Sequence, residues 1–147
     1  MRLVIQRVRR ASVAADEREV AAIGPGLLVL MGFAANEEST AHRFGRVVQR
    51  LIHLRLFDDV KARLNRSLQE VHGELLLIPQ ITLTASLTKG TRPSFHTCAP
   101  PEAARALFEA FVHVAKTIYP RTSTGEFQTH MVVSLENDGP VTIVLDC

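Results

Sequence analysis

The stretch Leu135-Glu136-Asn137-Asp138-Gly139-Pro140-Val141-Thr142 lies near the end of the chain, between the apolar runs 131–135 and 141–145. Asn-Asp-Gly between two such runs is typical of a β-hairpin turn. The Gly-Pro pair is unusual there, because proline has no N–H to donate to the strand that follows. The bond before proline is also the one that readily becomes cis. These residues alone favour an ordinary hairpin, and the alternative is a rigid tip that aims backbone carbonyls at a ligand.

The rest of the chain alternates between strand-like and helix-like apolar patterns. Helices are predicted from about Glu37 to His53, where apolar residues recur every three or four positions, and from Pro101 to Tyr119. The predicted strands are 2–8, 12–15 (after a break at Arg9-Arg10), 27–33, 55–57 and 74–78, with 81–85 as a continuation after Pro79, and the two closing runs. A turn is expected at 24–26 and a loop at 86–99. Hairpins with only two helices predict an α+β fold in a single compact domain, residues 1–147.

Composition limits the classes of function. The chain has 147 residues, of which 46% are hydrophobic, so it fits one domain with a real core and is not disordered. No apolar run reaches the roughly 18 residues of a membrane span, and the N-terminus reads as a first strand of a cytosolic protein. Cys98 and Cys147 do not suggest a disulfide scaffold. A net charge of +2 is too small to argue for nucleic-acid binding by itself.

No conventional catalyst is visible in the side chains. The six histidines have no metal-ligand spacing with a cysteine, a carboxylate or each other. His96 and Cys98 are close enough in sequence to form a thiol–imidazole pair, but a plain loop thiol is the better interpretation. Neither a serine-hydrolase elbow nor a glycine-rich phosphate loop is present. What stands out is the Gly-Pro turn and a Pro-Gln-x-Thr-Leu segment.

Those two features carry a family resemblance. Pro79-Gln80-Ile81-Thr82-Leu83, the loop segment 89–95 and the closing stretch 137–142 resemble the D-aminoacyl-tRNA deacylase family. The likeness extends over nearly the whole chain, through Ile5-Gln6-Arg7-Val8, Ala11-Ser12-Val13, Ile23–Leu30, Leu54-Arg55-Leu56-Phe57 and Leu145-Asp146. The resemblance implies a barrel-like, largely antiparallel or mixed sheet. It also implies a cytoplasmic enzyme, without metal or cofactor, that hydrolyses the ester between a D-amino acid and the 3′-terminal adenosine of tRNA.

The resemblance assigns roles to one group of residues in the substrate pocket. Ile81 and Thr82 would offer backbone N–H groups to the developing oxyanion, Gln80 would shape the pocket wall, and the RNA 2′-hydroxyl would assist the attacking water. Thr82 also matches a position once considered a nucleophile. Phe127 and Met131, four residues apart, match a pair that holds the adenine. From the sequence alone, core packing of Phe127 and Met131 is the simpler interpretation.

A second group would control chirality. Gly139 and Pro140 match a gate that is cis in relatives, enters the neighbouring subunit's pocket and faces the substrate α-carbon, and Arg7 matches the basic residue that supports it. This arrangement implies a homodimer with two composite sites. We therefore expect Gly139–Pro140 to be cis and to pack into the partner's pocket.

Three departures from the family pattern leave alternatives open. Pro79 stands where the family usually has serine. In this position the chain is similar to an animal relative that has the same Pro-Gln-x-Thr-Leu pattern, removes L-alanine from a threonine tRNA and has a trans Gly-Pro bond. Gln128-Thr129 replaces small residues, typically Gly-Ala, and 83–86 lacks the usual Tyr-Ala-Asp. The alternatives are hydrolysis of mischarged L-alanyl-tRNA, a non-catalytic protein that binds the tRNA 3′ end, and a purely structural dimer.

Overall fold

The computed structural model describes residues 1–37, 40–88 and 90–147. Glu38 and Ser39, in the predicted start of the first helix, and Lys89, in the loop motif, lie outside them. A short 3-10 helix at Ile81–Thr84 precedes the second α-helix. The strands are β1 (Arg2–Ala15), β2 (Arg18–Ile23), β3 (Gly26–Gly32), β4 (Arg55–Asp58), β5 (Leu64–Ser67), β6 (Glu74–Pro79), β7 (Thr122–Thr124) and β8 (Met131–Asp146), and the α-helices are α1 (Ala41–His53) and α2 (Pro101–Ile118).

The main sheet has the strand order β2-β1-β3-β6-β7, with β8 on the other edge of β1. β1 is long enough to pair with both β2 and β3 on one edge and with β8 along the other. The β3–β6 and β6–β7 pairs are parallel, and the other pairs in this sheet are antiparallel. β2 also contacts β6 and β7, so the sheet curls towards a barrel. The predicted α+β class, mixed barrel-like sheet and two helices are confirmed.

Both faces of the sheet are apolar, which explains the long buried runs in β3 and β6. One face packs under α1 and α2 around Phe44 and Phe111, whose ring centroids are 5.3 Å apart. The other face holds a smaller cluster that includes Val13 and Leu76. Tyr119 ends α2 and donates its hydroxyl to the Gly73 carbonyl at 2.6 Å, and burial raises its pKa. Among the described helices, none is long and apolar enough to cross a membrane.

Several predicted boundaries differ from the structure. α1 begins at Ala41 rather than near Glu37, because Thr40 caps it by accepting a bond from the Arg43 amide at 3.1 Å. The predicted break at Arg9-Arg10 is wrong, since β1 is continuous and both arginines project from it into solvent. Strands β5 and β7 were not predicted, because they are three or four residues long with at most one apolar residue, and β2 was missed because its apolar residues do not alternate with polar ones.

The predicted hairpin at the closing stretch is also wrong. The chain does not reverse there: both apolar runs belong to β8 and pair with β1 in one antiparallel ladder. Thr142 pairs with Gln6 and Asn137 with Val8, so the segment 138–141 bulges out opposite Arg7 alone. Proline has no N–H to donate to a strand ladder. The bulge leaves Pro140 unpaired, as a turn would also have done.

Candidate functional site

A cleft of about 270 Å³ lies between the end of β6 and the segment that leads into β8. It brings together residues that are far apart in sequence, with Gln80, Ile81 and Thr82 on one element and Phe127 and Met131 on the other. All five residues that the resemblance assigns to the substrate pocket therefore line the same cleft. The remaining lining residues are Ile78, Pro79, Gln128, Thr129, His130 and Val133.

The 3-10 helix forms one side of this cleft and corrects the expectation of a strand at 81–85. β6 ends at Pro79, which pairs with Met31; the Gln80 amide makes one further bond to the Met31 carbonyl at 2.8 Å, and the chain then turns. The first bond of the helix runs from the Leu83 amide to the Gln80 carbonyl at 3.3 Å. The amides of Ile81 and Thr82 precede that bond, and they have no backbone acceptor among the described residues. Two residues that line the cleft, Ile81 and Thr82, thus have backbone N–H groups without a backbone acceptor in the described part of the chain.

Gly32 lets β3 lie close to this helix, since a Cβ at Gly32 would lie 2.7 Å from the Gln80 carbonyl oxygen. We expect Gly32→Ala to displace the 3-10 helix and to lower kcat/KM about 100-fold for the ester hydrolysis that the family resemblance implies, because small misplacements at a reacting centre have effects of that size. Steady-state kinetics and circular dichroism would separate this effect from unfolding.

Gly45→Ala is the matched control, since its Cβ would meet only Ile118 Cδ1 at 3.8 Å, an ordinary contact. We expect it to leave activity unchanged and to raise the free energy of unfolding by up to about 1 kcal/mol, because alanine favours a helix over glycine. Equal loss of activity in both variants would show that Gly32 has no special relation to the cleft.

The side chains near the 3-10 helix do not form a nucleophile–base pair in the described part of the chain. The Thr82 hydroxyl accepts a hydrogen bond from the Gln80 side-chain amide, which is not a base. Cys98 is buried and its thiol donates to the Ile81 carbonyl at 3.5 Å, while His96 bonds Ser94 at 2.8 Å. The His96–Cys98 pair considered from the sequence is therefore not formed. The described residues also contain no group of three His, Cys, Asp or Glu arranged to hold a metal ion.

Phe127 and Met131 form the other end of the cleft, and both are half-buried. Phe127 packs against the helix-side core, with its ring centroid 6.3 Å from that of Phe108, and Met131 packs against the second cluster. Gly125 leaves room for Met131, because a Cβ there would lie 2.8 Å from the Met131 sulfur. The pair therefore has both a core-packing contribution and a surface in the cleft.

Arg105 of α2 contacts two residues at this end of the cleft, Phe127 and Gln128. Its guanidinium carbon lies 5.2 Å from the centroid of the Phe127 ring, a cation–π contact. Its Nη2 also donates to the Gln128 side-chain oxygen at 2.7 Å. Gln128 has a φ of 59°, a left-handed backbone that glycine adopts more easily. Its exposed side chain thus lies beside α2.

The Gly-Pro bulge lies on β8, outside the cleft of its own chain. The Gly139–Pro140 bond is cis, as predicted, and both residues are exposed. The Asn137 side chain replaces lost ladder bonds by accepting from the Val141 amide at 2.8 Å and donating to the Val141 carbonyl at 3.2 Å. Specific hydrogen bonds therefore hold the bulge in its conformation.

Arg7 holds the bulge from the strand opposite. Although charged, it is only 6% exposed. Its Nε donates to the Asp138 carbonyl at 2.8 Å and its Nη1 donates to the Leu56 carbonyl at 2.8 Å. Asp58 adds an ion pair with Nη1 at 3.3 Å. Arg7 thus ties the bulge to β4, in the supporting position that the resemblance assigns to it.

Two residues at or behind the cleft were not singled out from the sequence. His130 lines the cleft but has no partner at a fixed spacing in the sequence. Arg105 reaches Phe127 only because α2 packs behind the segment before β8, and no sequence pattern carries that information.

The fold and the cleft define an α+β protein whose candidate site joins backbone donors to an aromatic–thioether pair, with a Gly-Pro bulge on a separate strand. Residues 4–146 match the family model described as D-Tyr-tRNA(Tyr) deacylase. The chain belongs to this family.

Relatives agree with this assignment, and solved structures share the fold. The chain is 50% identical over 150 residues to a D-aminoacyl-tRNA deacylase of Nitratidesulfovibrio vulgaris (strain DP4), with 99% of this chain and 93% of the relative covered. It is 47% identical to one of Chromohalobacter salexigens, with 99% of each covered. A solved structure titled c-Myc DNA Unwinding Element Binding Protein superimposes with a TM-score of 0.91 at 33% identity, covering 100% of this chain and 99% of that one. A structure titled as a probable eukaryotic D-amino acid tRNA deacylase shares the fold, with a TM-score of 0.86 at 19% identity, covering 99% and 98%.

Proposed function

We propose that this protein hydrolyses the ester bond of D-aminoacyl-tRNA and releases free D-amino acid and tRNA. The observation that supports the proposal is one cleft lined both by Phe127 and Met131 and by Ile81 and Thr82, whose amides have no backbone acceptor among the described residues. One end offers donors for an ester carbonyl and the other end offers apolar surface for a purine. Family membership points to the same substrate.

In the proposed reaction, water attacks the ester carbonyl carbon and the bond from that carbon to the ribose 3′-oxygen breaks. The amides of Ile81 and Thr82 stabilise the negative charge on the carbonyl oxygen in the tetrahedral intermediate. The 2′-hydroxyl of the terminal ribose assists the water, and the 3′-oxygen leaves with a proton. Gln80 shapes the wall of the pocket and orients the Thr82 hydroxyl, with which it forms a hydrogen bond.

Gly139 and Pro140 would act as the chiral gate of a neighbouring subunit's cleft, so the active species would be a homodimer. Two features support this proposal: the bulge is exposed and lies away from its own cleft, and β8 exposes Val132 and Val144 on the same strand. A D-amino acid would place its side chain away from the gate carbonyls, whereas an L side chain would collide with them. We place this reaction in the cytoplasm, where charged tRNA is used.

A side-by-side single-turnover assay of D-alanyl-, glycyl- and L-alanyl-tRNA tests the function. We expect hydrolysis of the first two, because glycine has no chirality to reject. Hydrolysis of L-alanyl-tRNA should be at least about 200-fold slower, since exclusion by a steric clash exceeds the 10–200-fold effect of one methylene. Pro79 and Gln128-Thr129 would tune these rates rather than abolish them. Preference for L-alanyl-tRNA would overturn D-specificity, and binding without turnover would identify a protein that only holds the tRNA 3′ end.

A further inference from the structure

A second groove lies directly behind the adenine end of the cleft, between α2 and the segment 124–129. It encloses about 570 Å³, roughly twice the volume of the cleft, and Phe127 and Thr129 line both spaces. The groove and the cleft are therefore neighbours that share Phe127 and Thr129 in their walls. None of the roles proposed above uses this groove.

We propose that this groove binds the single-stranded nucleotides that precede the terminal adenosine of the substrate. The proposal rests on the proposed function, because that function fixes the direction of the RNA. If the ester lies at Ile81 and Thr82 and the adenine at Phe127 and Met131, the ribose lies between them. The preceding nucleotides are joined to the 5′-oxygen of that ribose, within one nucleotide of the residues that the groove shares with the cleft.

The lining of the groove has the chemistry of a single-strand site. Phe108, Val112 and Phe127 give it an apolar base. Lys116 and His113 lie on its rim, both exposed, and neither has an acidic partner among the residues that the structure describes. Apolar surface for bases beside cations for phosphates is the usual combination in proteins that hold single strands.

The acidic residues of the groove do not cancel this charge. Glu126 accepts from Arg18 Nη2 at 2.7 Å, and Glu109 lies 3.9 Å from Arg105 Nη1. Each carboxylate is thus matched by an arginine, which leaves the Lys116 ammonium and the His113 imidazole available to phosphate. Arg105 lines the groove, and its guanidinium lies over the ring of Phe127, one of the two residues proposed to hold the adenine.

The test compares D-alanine esterified to adenosine alone, to the trinucleotide cytidylyl-cytidylyl-adenosine, and to full tRNA. For the unaltered protein, we expect kcat/KM to be about tenfold higher for the trinucleotide than for adenosine, since charge-assisted phosphate contacts have effects of that size. Lys116→Glu should remove most of this gain and leave the adenosine ester unaffected. It should also reduce the slope of log(kcat/KM) against log[salt] by about 0.7 for the trinucleotide, the value for one phosphate contact on a single strand.

Lys61→Glu provides the matched control, because Lys61 is an exposed lysine in the β4–β5 turn, outside the residues that line the groove. It should leave both esters unchanged, and an equal loss in the two variants would attribute the effect to overall charge and overturn the proposal. Equal kcat/KM for all three esters would also overturn it while leaving the proposed function intact. Absence of hydrolysis of every ester would instead contradict the proposed function.

Discussion

Arg7→Ala is expected to damage both stability and chiral discrimination. The substitution leaves the Asp138 and Leu56 carbonyls without their buried donor. We expect the free energy of unfolding to fall by about 3 kcal/mol, because a buried polar group left unsatisfied costs 1–3 kcal/mol. With the bulge released, kcat/KM for D-alanyl-tRNA should fall about 100-fold, since misplacement by about 1 Å has effects of that size. Chemical denaturation and single-turnover kinetics would measure the two effects.

Arg9→Ala is the matched control for this prediction. Arg9 also bonds Asp138, through Oδ1 at 3.1 Å, but its side chain is 74% exposed. An exposed ion pair contributes little, so we expect a change below about 1 kcal/mol and unaltered discrimination. The readout specific to the gate is the ratio of D-alanyl- to L-alanyl-tRNA hydrolysis. If Arg7→Ala lowers stability and leaves that ratio unchanged, Arg7 supports the fold and not the gate.

The sequence located both ends of the cleft but not the manner in which they meet. Phe127 and Met131, like Gln80–Thr82, were singled out by the family resemblance, yet their meeting in one cleft depends on parallel pairing of β3, β6 and β7. Such pairings join distant segments and leave little trace in local periodicity. The half-buried state of Phe127 shows why the sequence favoured core packing: the ring packs in the core and lines the cleft at once.

The two wrong assignments near the site have a common cause. Proline at 79 and at 140 marks a place where ladder bonding stops, and the sequence does not specify what replaces it. After Pro79 the chain turns into a 3-10 helix instead of a further strand, which is what frees the amides of Ile81 and Thr82. At Pro140 the ladder resumes after a bulge, because β1 extends far enough to pair with both halves of β8. The length of β1 was hidden by Arg9 and Arg10, which interrupt its apolar pattern.

Replacing the 2′-hydroxyl of the terminal ribose with hydrogen is expected to produce the largest loss of activity. The residues of the 3-10 helix supply backbone donors and no side-chain base, and the family resemblance implies that the substrate's own hydroxyl assists the water. Assistance of this kind contributes 10²–10⁴-fold, and we expect hydrolysis of D-aminoacyl-tRNA that ends in 2′-deoxyadenosine to be about 1,000-fold slower. Single-turnover rates at saturating enzyme, with binding measured separately, would isolate the chemical step.

Thr82→Ala and Cys98→Ala test whether a protein side chain acts as the nucleophile. Thr82 presents its hydroxyl to an amide, and the Cys98 thiol is buried against the Ile81 carbonyl, so neither is activated as a nucleophile. We expect both variants to keep hydrolysis within about threefold of the unaltered protein, because an activated nucleophile would need an adjacent base or a lowered pKa. A loss of several orders of magnitude in folded Thr82→Ala, together with full activity on the 2′-deoxy substrate, would replace RNA assistance with a threonine nucleophile.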